Sequence, residues 1–156
     1  MKIIKFKLIF VLGILVSSCG FKIMNQETNE LVYLQNINVS GERRAAYMLK
    51  NNLLLISSDN SSNKYDVQIE IIKQKKDKIK NKAGKVTRYT MSVIANLKLT
   101  NLNNNKIVNK VFLRNSDFNI DKKHSETINN EISVTENIVG ALSEDIINFI
   151  ILRLRN

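Results

Sequence analysis

Residues 64–100 read KYDVQIEIIKQKKDKIKNKAGKVTRYTMSVIANLKLT, and the spacing of the apolar residues within them decides the fold. Tyr65, Val67, Ile69 and Ile71 alternate with Asp66, Gln68 and Glu70, the cleanest strand signal in the chain. After a gap, Tyr89, Met91, Val93, Ala95, Leu97 and Leu99 alternate in the same way with mostly polar neighbours. A side-chain period of two is that of a strand with one face on a core and the other in solvent. The intervening segment KQKKDKIKNKAGK, 73–85, then forms the extended end of a hairpin, with lysines on both of its faces.

Working outward, LNNNK at 102–106 is a turn, because Asn tolerates positive φ at modest cost, and 107–120 form the returning strand. Upstream, Leu31, Tyr33, Ile37 and Val39 fall on one side of a period-two pattern interrupted by Gln35, which predicts a first strand. Ser40-Gly41 breaks that pattern, and Ala46, Leu49, Leu53 and Ile56 recur at helical spacing, so 42–56 read as an amphipathic helix. The polar stretch SSDNSSN, 57–63, is a loop. From 125 to 156, Ile128, Ile132, Val139, Leu142, Ile146 and Phe149 keep to one side of a long helix, interrupted by Gly140, with Arg153 and Arg155 suiting its negative end. The expected architecture is α+β in the order β-α-β-β-β-α, with two helices packed on a mostly antiparallel four-stranded sheet. Val111 and Leu113 on one side of the last strand oppose Val108 and Phe112 on the other, and a second covering surface is one explanation.

The N-terminus, MKIIKFKLIFVLGILVSSCGF, has a basic start, an apolar run from Leu8 to Val16 and two small residues before Cys19. That is the layout of a signal peptide, 1–18, and the run is too short for a membrane span, which needs about 20 apolar residues. Val16-Ser17-Ser18-Cys19 resembles the bacterial lipobox, in which the cysteine is acylated and becomes the mature N-terminus. The competing reading is a plain secreted protein with an incidental thiol; Cys19 is the sole cysteine, and an exported lone thiol invites intermolecular disulfides. Two or three acyl chains anchor stably where one does not. Gly20 stands where an Asp would favour the inner membrane in well-studied bacteria, so the outer membrane is expected. Residues 19–156 suffice for one domain, and their composition, 44% hydrophobic over the whole chain, supports a packed core.

Three classes of chemistry are not supported by the residues present. His124, the one histidine, sits beside Lys122 and Lys123 with no partner cluster at ligand spacing, and the five glycines are scattered singly. We therefore expect no enzyme, metal or cofactor. The formal charge of +10 points to an anionic partner, although a chain rich in Lys, Asn and Ile also fits AT-rich codons. Position is more informative: 73–85 carry seven lysines against Asp77 alone, and Arg88 stands just beyond. Export argues against nucleic acid, as does the lack of stacking aromatics in the segment. Lipid phosphates suit an exported basic tip held by Lys78, Lys80, Lys82, Lys85 and Arg88. A solvated hairpin end enriched in lysine by codon usage is the alternative.

The lipobox, the CGF start at 19–21, AGKVTRYTMSVIANLKL at 83–99, KVFLRN at 110–115 and the final helix resemble, in that order, the LptE family of lipopolysaccharide-assembly lipoproteins. The resemblance covers most of 19–156. It implies an outer-membrane lipoprotein, anchored on the periplasmic side or lodged within a barrel lumen. Such a protein assembles and plugs the LptD β-barrel and binds lipopolysaccharide during export to the cell surface. The family's basic residues at the hairpin tip fall on Lys82, and those in the loop before the last helix fall near Lys122 and Lys123. The segment after CGF lacks the Pro and Arg often seen in the family, and no tail follows the last helix. Two rivals remain at this stage: an accessory lipoprotein of an envelope transporter that binds anionic phospholipid, and a structural lipoprotein with incidental lysines.

Overall fold

The computed structural model describes residues 32–59 and 61–154. The signal peptide, Cys19, the CGF motif, Leu31 and Arg155 lie outside them. The elements are β1 (Tyr33–Gly41), α1 (Arg43–Leu54), β2 (Lys64–Lys80), β3 (Val86–Asn101), β4 (Ile107–Asn119) and α2 (His124–Leu154). The fold is thus α+β in the expected order. The sheet runs β1-β2-β3-β4, with β1 parallel to β2 and the other two pairings antiparallel.

Both helices cover one face of this sheet. The alternating residues Val67, Ile69 and Ile71 of β2 and Met91, Val93, Ala95, Leu97 and Leu99 of β3 are buried there. Against them lie Ala45, Leu49 and Leu53 of α1 and Ile138, Val139, Leu142, Ile146 and Ile150 of α2. The bidentate Arg114–Asp145 pair, at 2.7 and 2.8 Å, and the edge-on Phe112–Phe149 contact dock α2 on β4. Two polar side chains inside the core are satisfied locally: Thr135 Oγ1 donates to the Glu131 carbonyl, and Ser143 Oγ donates to the Val139 carbonyl while accepting from Asn52. Gly140 continues α2 without a break, and a Cβ there would meet open space.

Two local expectations change, and one is made more definite. Tyr33 does not share a face with Ile37. The register shifts between Leu34 and Asn36, so Val32 and Leu34 fill the core before the shift and Ile37 and Val39 pack against it afterwards. The interruption at Gln35 is a β-bulge, which turns the strand over by one residue. The lysine-rich segment forms the extended hairpin end expected of it: β2 continues as strand to Lys80, paired with β3 back to Val86. Ile128, expected on the buried stripe of α2, is largely exposed, because the first turns of that helix pack beside lysines rather than apolar side chains.

Two glycines set the turns. Gly41 ends β1 at φ +104°, and a Cβ there would sit 2.0 Å from the Ile71 carbonyl oxygen. Glu42 follows as N-cap of α1, its carboxylate accepting the Ala45 N–H at 2.7 Å. Gly84 has φ +76° at the tip of the β2–β3 hairpin, where the Asn81 side-chain oxygen accepts the N–H groups of Ala83 and Lys85. In the β3–β4 turn it is Asn105, at φ 58°, that adopts the left-handed conformation expected of that run.

Candidate functional site

β1 ends opposite Ile71, so from Ile72 to Lys80 β2 has, among the described residues, a strand neighbour on one side only. The β2–β3 hairpin therefore projects past β1. β4 ends beside it, with Asn119 paired to Arg88 and the Ile120 N–H donating to the Thr87 carbonyl at 3.0 Å. The loop carrying Lys122 and Lys123 thus lies at the same end of the molecule as Lys78, Lys80, Lys82, Lys85 and Arg88. The two basic clusters, 40 residues apart in sequence, are brought to one end of the fold.

Their charges are not equally available. Glu131 of α2 takes both Lys73 and Lys75, at 3.4 and 2.8 Å, and Lys75 also lies 5.1 Å from the Tyr89 ring centre. Lys78 pairs with Asp117, Lys80 with Asp77 at 3.1 Å, and Lys123 with Glu126 at 3.3 Å. Arg88 donates to the Asn119 side chain at 2.8 Å. The ammonium groups of Lys76, Lys82, Lys85 and Lys122 form no ion pair among the described residues. The seven lysines of 73–85 thus reduce to three exposed charges with no ion pair among the described residues on the hairpin, with a fourth in the neighbouring loop.

The pairing also perturbs the acids. The hydrogen bond from Lys75, aided by the charges of Lys75 and Lys73, holds the Glu131 carboxyl below its usual range although burial opposes this. Asp117 is lowered by hydrogen bonds from Lys78 and Thr90. Asp145 is lowered by its Arg114 partner. Sequence reading missed Lys76 as a free cation and missed Glu131 and Asp117 as the groups that neutralise its neighbours. The period-two pattern carried part of that signal, since it puts Lys76 on the face away from Glu131.

The uncovered face of the sheet is the second feature of this end. By register, Ile72, Ile94 and Leu113 form one row across β2, β3 and β4. Val111, 62% exposed, and Leu113, 57% exposed, stand out from it, next to the Asn96–Glu70 hydrogen bond. Toward the hairpin tip the same face becomes polar through Gln74, Ser92 and Asn115, then charged through Lys76, Thr90 and Asp117. The face therefore grades from apolar to cationic along the strands, which suits a ligand or wall with both characters. His124 opens α2 in an exposed position.

No protein-family model and no curated protein sequence matches the chain. Solved structures do. A protein of Caulobacter crescentus described as a lipoprotein superposes with a TM-score of 0.60 at 12% identity, covering 83% of this chain and 93% of its own. Rare lipoprotein B from Shewanella oneidensis superposes with a TM-score of 0.60 at 10% identity, covering 74% of this chain and 91% of its own. Across nearly the whole of both proteins, this chain shares their fold.

Proposed function

We propose that this chain is an outer-membrane lipoprotein of the LptE type, which assembles and plugs an LptD-type β-barrel and presents its basic end to lipopolysaccharide. The observation that carries this reading is the meeting of two distant basic clusters at one end of the sheet, on whose open face an apolar row is left uncovered by the described chain. Lipid A offers closely spaced phosphates on an acyl body. Lysines act on phosphate as point charges, gaining more when several converge near a low-dielectric surface and still releasing the ligand readily. A barrel wall would cover the row of Ile72, Ile94 and Leu113, which no element of the described chain does. That two proteins sharing the fold carry lipoprotein names supports the anchor expected at Cys19.

Two measurements test the proposal. The full-length lipoprotein, captured from envelope membranes of its own host, recovers a large β-barrel partner; recovery of an inner-membrane transporter instead would overturn it. Changing Lys82, Lys85 and Lys122 together to Gln weakens lipopolysaccharide binding by roughly tenfold or more, about 1.4 kcal/mol, with circular dichroism unchanged. Binding that survives this triple change would leave the hairpin tip a solvated loop.

A further inference from the structure

A second cationic site, far from the lysine tip, is built where the β3–β4 turn meets the last turns of α2. Here a cavity of about 280 Å³ has Leu99 and Val108 as apolar lining and Tyr65, Asn101, Asn104, Lys106 and Arg153 as its polar groups. No acid lines it. Hydrogen bonds along the turn orient these groups so that hydrogens of Tyr65 and Asn104 remain to be offered. The Asn101 oxygen accepts the Asn103 N–H at 2.8 Å, so its amide nitrogen donates to the Tyr65 hydroxyl oxygen at 3.0 Å. That leaves the hydroxyl hydrogen of Tyr65 as the group available for a ligand. The Asn104 oxygen accepts the Lys106 backbone N–H at 3.0 Å, which leaves its amide hydrogens likewise. Arg153 is held over the Phe149 ring at 5.6 Å, and neither it nor the Lys106 ammonium has an ion-pair partner among the described residues.

Donors from β2, from the β3–β4 turn and from α2 thus converge on one space with an apolar lining. We propose that this cavity binds the phosphate headgroup of a small anionic amphiphile, its oxygens on Lys106, Arg153, Tyr65 and Asn104 and the start of its acyl part on Leu99 and Val108. The cations Lys106 and Arg153, with the hydrogens of Tyr65 and Asn104 beside them, favour an anion, and Leu99 and Val108 favour an apolar body next to it. The site is independent of the lysine tip: Tyr65 pairs with Asn101 at one end of the β2–β3 hairpin and Lys80 with Val86 at the other. At about 3.3 Å per residue, the two ends are roughly 45 to 50 Å apart.

The test uses the full chain in dodecyl maltoside, followed by amide chemical shifts. Dihexanoylphosphatidate is added below its micelle-forming concentration, and inorganic phosphate is added in a parallel titration. Dihexanoylphosphatidate shifts the amides of Asn101, Asn104 and Val108 saturably and binds at least tenfold more tightly than inorganic phosphate. The double change Lys106→Gln with Arg153→Gln, both at exposed side chains, weakens that binding at least tenfold at an unchanged melting temperature. Arg153→Lys keeps most of it, and Lys82→Gln with Lys85→Gln leaves it unchanged. Inorganic phosphate binding as tightly as the amphiphile would overturn the lipid assignment, and equal binding by the Lys106/Arg153 double variant would overturn the site.

Discussion

Two glycines of this chain have opposite reasons to be glycine. At Gly41 the backbone is left-handed and the place of a Cβ is taken by the Ile71 carbonyl, so Gly41→Ala cannot be absorbed by a side-chain move. It lowers unfolding stability by about 3 kcal/mol or more, read from the denaturant midpoint. Gly140 lies inside α2 with open space around it, and Gly140→Ala raises stability by about 0.5–1 kcal/mol. Glu131 gives the residue scale its pH dependence. Its folded pKa is depressed by Lys75 and Lys73, so its contribution is fully present above the unfolded value of about 4.3 and is lost as pH falls through the lower folded value. Glu131→Gln therefore flattens the loss of stability below about pH 4 and costs roughly 0.5–1 kcal/mol at neutral pH. A stability curve against pH with the same acid limb in the variant would refute this assignment.

At the scale of elements, the part of β2 beyond Ile71 is a free strand edge among the described residues, and its lysines answer the hazard such an edge carries. Unpaired N–H and C=O groups along a strand template pairing with another chain, and a row of charges prevents it. Lys76→Val with Lys78→Val leaves the hairpin in place but exposes a long apolar edge, and the variant aggregates at concentrations where the parent stays monomeric in light scattering. Which parts of the fold were legible follows from the same physics. Strands β2 and β3 announced themselves through Val67–Ile71 and Met91–Leu99, where one face is core. The continuation of β2 through KQKKDKIK was legible only from its place between two alternating strands, because its strand conformation comes from pairing with residues 86–93 rather than from any apolar alternation of its own. The bulge at Gln35 was visible only as a broken pattern. In the same way the sequence located the basic tip but not its free charges, since Glu131 and Asp117, which neutralise Lys73, Lys75 and Lys78, lie 39 to 58 residues away along the chain.

Across the whole molecule the sheet has two faces with different owners. The helices take one, and the other keeps its apolar row exposed while becoming cationic toward the hairpin tip. The chain enters β1 at the end that holds the Lys106–Arg153 cavity, with the Tyr33 N–H donating to the Asn63 carbonyl. The basic tip is thus at the end opposite to the one where the chain enters β1. Adjacent residues of β4 make the difference between the faces measurable. Phe112 points to the helices and meets Phe149 edge-on at 5.7 Å, and Leu113 points away into the open row. Phe112→Ala removes a half-buried ring from the contact that docks α2 and lowers stability by about 2–3 kcal/mol in the isolated protein. Leu113→Glu changes that stability by less than about 0.5 kcal/mol, because the side chain is already in solvent. Under the proposed function the consequences reverse in the envelope. A charge at Leu113 must be desolvated against the barrel wall, so that variant loses capture of its partner, whereas Phe112→Ala loses it only in proportion to the unfolded fraction. Equal capture by Leu113→Glu and the parent would mean that this face has no wall against it, and that the apolar row serves the chain alone.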